Sequence, residues 1–321
     1  MGQLISGPVT LKDTKFCQNG MFSVAASSMQ GWRVRMEDSF TCFLNLPDDP
    51  SAAYFAIFDG HGGNGVSEYA ASHLHTAITS LPEYGKVIQF LNTSKGDVEK
   101  ALRLGFLSLD SEMRTRFSHQ PTTKSSKADH SPRLSHKETG GSVSSSGAAN
   151  TIVGSPNNCS RSSVLSSSVG DVGGSTCIVL LVRDGQIYCA NCGDSRAVIS
   201  CLGVAEAFST DHKPSLPRER SRILAAGGWI SGGNRVNGNL ALSRALGDFT
   251  FKRNPQLSPV DQIISPEPDV SCRDIRPEED EFIVMGCDGI WDVLTDQEVV
   301  HFVRSRLAAG SPPDSVSLPF V

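Results

Sequence analysis

The most regular feature of this 321-residue chain is a series of short apolar runs separated by turns rich in glycine and aspartate. Short continuous apolar runs that are bounded by turn residues predict strands buried on both faces. Two of the runs are joined by Asp184-Gly185, a dipeptide typical of a β-hairpin. The predicted strands cover residues 53–58, 175–183, 186–191, 196–200 and 282–287.

Four other segments repeat apolar residues at helical spacing, which predicts amphipathic helices over 64–80, 97–117, 215–227 and 296–308. No internal repeat of solenoid period is present. Strands in the middle of the chain, with helices grouped towards its two ends, favour an α+β fold built from packed layers.

Residues 118–170 have a different composition. They contain sixteen serines and no phenylalanine, tyrosine or tryptophan. Such a segment cannot bury enough apolar surface to offset its chain entropy. We therefore predict a disordered insertion within one domain of residues 22–308, preceded by an N-terminal segment of residues 1–21.

Composition and charge narrow the classes of function. The net charge of −5 provides no basic field for nucleic acid. Nine scattered cysteines without a signal peptide indicate a reduced cytosolic or nuclear setting. We also expect the protein to be a monomer. The start MGQLIS fits N-myristoylation on Gly2, which predicts membrane association only through one reversibly bound acyl chain.

Candidate chemistry lies where apolar runs end in aspartate. Asp59, Asp194 and Asp288 each follow such a run. Asp-Gly is also a very common turn dipeptide, and Asp184-Gly185 is predicted to be only a hairpin turn. Asp59 and Asp288 differ from it, because a helix-like segment follows each of them.

The neighbouring residues make these aspartates a candidate metal site. With Glu37 and Asp38 they form a set of oxygen ligands that selects Mg²⁺ or Mn²⁺ over Zn²⁺. Two such ions can ready a water for in-line attack on phosphorus. Arg33 can clamp phosphate oxygens bidentately, and His61 can exchange a proton near neutral pH.

At these residues the chain resembles the metal-dependent type-2C serine/threonine protein phosphatases. The order and spacing of the motifs agree from about residue 22 to 308. The insertion and the stretch 251–254 are similar to the gamma-like members. The matching motifs are GWRVRMED at 31–38, FDGHGG at 58–63, GGST at 173–176, NCGDSR at 191–196, DHKP at 211–214, RVNG at 235–238, LSRALGD at 242–248, SPEP at 265–268 and CDGIWD at 287–292.

The resemblance implies a four-layer αββα sandwich of two mainly antiparallel sheets flanked by helices. It also implies that two Mg²⁺ or Mn²⁺ ions activate a water, which hydrolyses phosphoserine or phosphothreonine in protein substrates. A third, weaker ion is expected beside them. The resemblance implies that Asp59 bridges both ions and that Gly60 and Asp288 bind one ion each. Metal-bound waters are then held by Glu37, Asp38 and Asp292. Asp194 helps to hold the third ion.

The resemblance implies further roles outside the metal ligands. Arg33 binds the substrate phosphate, and Arg235 lies in a loop on the substrate side. His61 protonates the leaving serine or threonine oxygen. Thr176 and Asp248 belong to matching motifs, and a purely structural role is open for both.

The chain departs from the family pattern in its tail, residues 309–321. No Asp-Asn pair follows Asp288, whereas such a pair precedes the last strand of the family's domain. We therefore expect the last strand to be missing and the activity to be impaired. The alternative to an enzyme is a catalytically weak or inactive phosphatase-like binding or regulatory protein.

Two other motifs indicate competing chemistry. Residues 60–65 match the G-x-G-x-x-G pattern of dinucleotide sites, but no acidic residue ends a second strand at the required distance. Cys177 and Arg183 have the spacing of a cysteine phosphatase, but an apolar strand without a glycine cradle separates them. Neither alternative is favoured.

Overall fold

The computed structural model describes residues 4–85, 95–118, 158–161 and 173–316. The helices are α1 (Gly65–Thr79), α2 (Lys95–Ser118), α3 (Pro217–Ala225), α4 (Asp288–Trp291) and α5 (Asp296–Ala308). The strands are β1 (Leu4–Gln18), β2 (Ser23–Arg33), β3 (Ser39–Phe43), β4 (Ala53–Phe58), β5 (Gly60–His61), β6 (Asn158–Arg161), β7 (Gly174–Ser175), β8 (Cys177–Arg183), β9 (Gln186–Cys192), β10 (Arg196–Cys201), β11 (Val204–Ala207), β12 (Leu246–Gly247), β13 (Asp269–Asp274) and β14 (Asp280–Gly286).

A six-stranded antiparallel sheet in the order β13-β9-β8-β4-β3-β6 forms the centre of the molecule. Every residue of β8 is buried, because β4 and β9 flank it and both of its faces are covered. This confirms the prediction of a buried central strand for residues 175–183, whereas β14, predicted from the run at 282–287, is an edge strand whose residues are mostly half-buried. The Cys177–Arg183 spacing lies inside β8.

Alternate residues of β8 face two different layers. Val179 and Leu181 belong to a core that includes residues of α1 and α2. Ile178 and Leu180 belong to a second core shared with Ala197 of the three-stranded sheet β11-β10-β14. The outer face of that sheet packs on α5. Both ends of α5 agree with the helix predicted over 296–308. The layers are therefore helices, sheet, sheet and helix, and the predicted α+β sandwich is confirmed.

The N-terminal segment adds a strand that the apolar pattern does not predict. β1 lies within the first 21 residues, and it pairs with β2 in an antiparallel hairpin. Most side chains of this hairpin are exposed or half-buried, so it lacks the apolar run that marks a central strand. Cys17 anchors it in the core, with its Sγ atom 3.1 Å from that of Cys42 on β3. Gly2 lies outside the described residues.

The Ser-rich insertion also contains a strand. β6 lies within residues 118–170 and pairs with β3, where Cys42 is opposite Cys159. The prediction of disorder therefore does not hold for these four residues. Other than β6 and Ser118, which ends α2, the insertion lies outside the described residues. Among the helices that are described, none is both long and apolar enough to cross a bilayer.

Candidate metal and phosphate site

The aspartates predicted from separate motifs meet at one edge of the sandwich. The start of β3 pairs with the end of β4, which brings Asp38 beside Asp59. The end of β9 pairs with the start of β8, which places Asp194 at the same edge. Asp288 follows β14 and begins α4. Antiparallel pairing therefore gathers carboxylates from positions that are far apart in the chain.

Asp59 lies at the centre of this concentration of charge. Burial is the largest effect that raises the pKa of its carboxyl well above the usual value. The negative charges of Asp38, Asp288 and Asp194 raise this pKa further. The guanidinium of Arg33, the last residue of β2, lowers it but does not compensate.

Asp288 experiences the same excess of negative charge. Burial raises the pKa of its carboxyl, and the charges of Asp194 and Asp292 add to the effect. Arg33 and Lys213 lower the same pKa. Arg33 and Asp194 thus act on both strand-end carboxyls, and Asp292 belongs to the cluster although its side chain is exposed.

Lys213 is a fixed cation within the cluster. Its Nζ atom donates a hydrogen bond to Asp194 Oδ2 at 2.7 Å. Burial acts to lower the pKa of the ammonium group, but the bond to Asp194 and the charges of Asp292 and Asp211 raise it overall. Asp194 is therefore neutralised in part, whereas no corresponding salt bridge of Asp59 or Asp288 is found among the described residues.

The turn between β2 and β3 packs directly against Gly60. A Cβ atom at Gly60 would collide with the main-chain oxygen of Glu37 and lie 2.8 Å from Ser67 Oγ. The Ser67 hydroxyl donates to the same Glu37 oxygen at 2.5 Å. The Cys287 thiol donates to Asp38 Oδ2 at 3.7 Å. Only glycine fits at position 60, because any side chain there would collide with the Glu37 oxygen and force the turn away from the carboxylates.

The donor chemistry of this cluster fits a hard divalent cation. Carboxylate and main-chain oxygens are the ligands that Mg²⁺ and Mn²⁺ prefer. A positive charge among the carboxylates would relieve the repulsion that raises the pKa values of Asp59 and Asp288. Within the described ranges, no group of three or more His, Cys, Asp or Glu side chains already has the arrangement of metal ligands. The assignment therefore rests on donor type and charge.

His61 is held by a carboxylate on the far side of a narrow strand. β7 lies between β5, which carries His61, and β12, which precedes Asp248. His61 Nε2 is 2.8 Å from Asp248 Oδ2. This contact crosses above Gly174, where a Cβ atom would collide with the Asp248 carboxylate and lie 2.7 Å from Nε2. A glycine at position 174 is therefore required for the pair to form.

The environment of His61 favours its protonated form. Burial alone acts to lower the pKa of the imidazole. The hydrogen bond and the charge of Asp248, together with the charges of Asp194 and Glu37, outweigh burial and raise the pKa above its usual value. Asp248, for which a purely structural role was open, thus acts directly on the candidate proton donor.

Two of the other predicted residues contribute no charged group to the carboxylate cluster. Arg235 lies in the loop 228–240, where its Nη1 atom donates to the main-chain oxygen of Asn239 at 2.7 Å. None of the described contacts joins it to the cluster. Thr176 donates its main-chain N–H to the oxygen of Asp59 at 2.9 Å, and its hydroxyl contacts Ser195 at 2.7 Å. Thr176 therefore supports the strand ends.

Sequence reasoning assigned no function to three residues of this site: Lys213, Cys287 and Asp248. Each lies in a motif that was recognised, but its partner is distant in the chain. His61 and Asp248 are 187 positions apart, and Asp38 and Cys287 are 249 apart. The signal that could have found Lys213 is its position two residues after Asp211, in a short polar stretch that follows β11.

Comparison with known proteins gives a consistent result. The Protein phosphatase 2C family model matches residues 22–132 and 158–318. A probable protein phosphatase 2C of Caenorhabditis elegans is 42% identical over 316 residues, which cover 98% of this chain and 72% of the relative. Protein phosphatase 2C homolog 2 of Hypocrea jecorina is 35% identical over 324 residues, which cover 98% of this chain but only 60% of the relative.

The fold is also similar to solved structures. The serine-threonine phosphatase 2C of Toxoplasma gondii superimposes with a TM-score of 0.62 at 18% identity, over 97% of this chain and 89% of that one. At this identity the likeness supports the fold alone. The family model covers most of the chain, and both named relatives exceed 30% identity. The chain therefore belongs to the protein phosphatase 2C family, the class of protein phosphatase that its motifs predict.

Proposed function

We propose that this chain is a Mg²⁺- or Mn²⁺-dependent enzyme that hydrolyses phosphoserine and phosphothreonine in protein substrates. The observation that carries the proposal is the group of carboxylates around Asp59, whose charges raise the pKa of Asp59 and of Asp288. Buried negative charge of this kind is costly unless a cation accompanies it.

The residues proposed to hold the cations share oxygen donors and the same edge of the sandwich. When bound, two divalent ions activate a water and stabilise the charge that develops on the phosphoryl group. The proposed ligands are Asp59, Gly60 and Asp288 by direct contact, Glu37, Asp38 and Asp292 through water, and Asp194 for a third, weaker ion.

Arg33 is proposed to bind the substrate phosphate. Its side chain is exposed, and its charge acts on both Asp59 and Asp288. A planar guanidinium can hold two phosphate oxygens at once, which orients the phosphorus. Arg33 would also reduce the repulsion between an incoming phosphate and the carboxylates. Arg235 is proposed to contact the rest of the substrate from its loop.

His61 is proposed to protonate the leaving oxygen. Its Nε2 atom faces Asp248, so Nδ1 is the atom that can hand a proton to a substrate. Because its pKa is raised, the imidazole carries this proton at neutral pH more often than a free histidine does. A serine alkoxide is a poor leaving group, so its protonation makes bond cleavage easier.

Direct attack by water is proposed in preference to a covalent phospho-enzyme. Cys287 is the thiol that contacts Asp38, and burial raises its pKa well above the usual value, with the charges of Asp38, Asp59 and Asp288 adding to the effect. A thiol of this kind stays protonated and is a poor nucleophile. The cysteine-phosphatase mechanism therefore has no candidate nucleophile in the cluster among the described side chains.

Phosphate release from a phosphoserine peptide tests the function. We expect release with Mn²⁺ or Mg²⁺, none after chelation with EDTA, and recovery when the metal is restored. Asp288→Asn should abolish metal-dependent release, whereas Asp184→Asn, in the hairpin turn at the opposite edge, should not. Release that continues in EDTA would overturn the proposal. A folded protein that binds the peptide with Mn²⁺ but never hydrolyses it would favour a phosphatase-like binding protein.

The proposed location is cytoplasmic, with reversible attachment to membranes through a myristoyl group on Gly2. The nine scattered cysteines support the reduced cytoplasmic setting, and the N-terminal sequence supports the attachment. Intact-mass measurement after expression in eukaryotic cells tests the attachment, and an unmodified Gly2 would overturn it.

A further inference from the structure

A buried ion pair lies outside the carboxylate cluster. Lys252 Nζ is 2.7 Å from Asp110 Oδ1, and the two side chains are 1% and 4% exposed. Asp110 belongs to α2, and Lys252 follows the motif that contains Asp248. Ion pairs buried this deeply contribute little net stability, because desolvation offsets their attraction. Stability alone therefore does not explain the pair.

Both charged groups of the pair also hold the main chain just before Asp248. Asp110 Oδ1 accepts a hydrogen bond from Gly247 N at 2.8 Å. Lys252 Nζ donates a second hydrogen bond to the oxygen of Ala245 at 2.8 Å. The residues on either side of Leu246 are thus fixed to the same ion pair, and all of these contacts are buried.

The segment held in this way has an unusual backbone. Gly247 and Asp248 have φ angles of +76° and +49°, so two successive residues lie in the left-handed region. A residue with a side chain is strained there and persists only where its surroundings enforce the conformation. The N–H group of Asp248 donates to the oxygen of Gly173 at 3.0 Å, and its carboxylate then meets His61.

We propose that Lys252 and Asp110 are positioning residues for proton transfer, because they hold the left-handed turn from which Asp248 orients the His61 imidazole. The inference rests on the proposed function, in which His61 protonates the leaving oxygen. Neither residue touches the substrate. Their influence passes through the main chain of residues 245–248 to one carboxylate and then to one ring. A misplacement of about 1 Å at a reacting group can cost about 10²-fold in rate.

Two substrates with different leaving groups separate this role from a merely structural one. A phosphoserine peptide needs its leaving oxygen protonated, whereas p-nitrophenyl phosphate releases a stable phenolate without that help. The quantity to measure is the ratio of kcat for the peptide to kcat for the aryl phosphate, both with Mn²⁺. His61→Gln should lower this ratio about 10²-fold, as expected for the loss of a general acid.

Asp110→Asn and Lys252→Met should each lower the same ratio at least about tenfold, a part of what misplacing a reacting group can cost. Combined with His61→Gln, neither should lower the ratio further, because both act through the same ring. Lys252→Arg, which keeps the charge, should retain more of the ratio than Lys252→Met. If near-UV circular dichroism shows that Lys252→Met does not fold, another variant replaces it as the test. The ratio for Asp110→Asn then tests the positioning role, because this substitution removes the carboxylate charge and keeps the size of the side chain.

The matched control is a second buried ion pair at the opposite edge, Arg183 with Asp49 at 3.1 Å, with side chains 4% and 5% exposed. Arg183→Met should lower stability and leave the ratio unchanged. Folded Asp110→Asn and Lys252→Met proteins that lose both activities equally would overturn the positioning role. If wild type hydrolyses neither substrate, or His61→Gln keeps the wild-type ratio, the proposed function fails instead.

Discussion

Two Asp-Gly dipeptides follow two neighbouring strands of the same sheet, yet they serve different purposes. β4 ends before Asp59-Gly60 and β8 ends before Asp184-Gly185, and because the strands are antiparallel the dipeptides lie at opposite edges. Asp184 and Gly185 have φ angles of +53° and +76°, which suit a tight hairpin between β8 and β9. Asp59 is instead surrounded by other carboxylates.

The charges at the two edges are arranged differently. At the hairpin edge, buried Arg183 pairs with Asp49 at 3.1 Å and reaches exposed Asp184 at 3.5 Å. At the other edge the carboxylates raise the pKa of Asp59 and of Asp288, and the nearby cations do not compensate. Strand register decides what lies beside a residue, and it therefore distinguishes a site from a turn.

The largest difference is expected in activity. Asp59→Asn should lower phosphopeptide hydrolysis about 10³-fold, the upper end of what removal of one transition-state-stabilising group costs. Asp184→Asn should stay within a factor of about 2, because the 75% exposed Asp184 lies at the opposite edge. Initial rates at saturating Mn²⁺ measure both. Equal losses in the two folded variants would remove the functional distinction between the edges.

The next effect concerns the glycines of the two dipeptides. Gly60→Ala would place a Cβ atom against the Glu37 oxygen, so the β2–β3 turn must shift, and we expect a loss of about 3 kcal/mol. Gly185→Ala meets nothing within 4 Å, but its positive φ should cost about 1 kcal/mol. Urea unfolding of both variants measures the difference. A Gly60→Ala protein as stable as Gly185→Ala would mean that the turn yields easily.

The sequence predicted the elements whose chemistry is local. Continuous apolar runs marked β4 and β8, and helical spacing marked α5 with its observed ends. β1 and β2 were missed because their side chains are largely polar or small and half-exposed, so their pairing depends on backbone hydrogen bonds. The four residues of β6 were missed because a serine-rich composition gives no sign of a neighbouring edge strand.

The candidate site was predictable where a carboxylate ends an apolar strand, as at Asp59 and Asp288. The contacts of Lys213 with Asp194 and of His61 with Asp248 were not, because they depend on which distant strands become neighbours. Periodicity reports the face on which a residue lies. It does not report the residue that another strand brings opposite.

A smaller effect is expected on stability without metal. Asp59→Asn should raise the melting temperature in EDTA by about 2–4 °C, which corresponds to about 1 kcal/mol in a domain of this size. The reason is that burial and the neighbouring carboxylates disfavour the ionised form of Asp59. With saturating Mn²⁺ the order should reverse, since wild type gains binding energy that the variant lacks. Calorimetry in both buffers tests this.

The dependence on pH checks the origin of that effect. The folded-state pKa of Asp59 lies above its unfolded value, so the folded chain binds the extra proton more strongly. The ionised carboxylate of Asp59 therefore lowers the stability of the wild-type fold at pH values above the folded-state pKa. This loss of stability disappears as the pH falls towards the pKa of Asp59 in the unfolded chain. In EDTA the advantage of Asp59→Asn should shrink on acidification. An advantage that stays constant with pH would indicate a change in packing.

The smallest effect is expected for Asp184→Asn, whose stability should stay within about 0.5 kcal/mol of wild type. Asparagine tolerates the left-handed conformation as aspartate does, so the turn is kept. The contact with Arg183 is lost, but Asp184 is mostly exposed, and Arg183 keeps its buried partner Asp49 and its bond to the oxygen of Tyr84 at 2.7 Å. A loss above about 1 kcal/mol, measured by urea unfolding, would show that the hairpin edge also depends on its aspartate for charge.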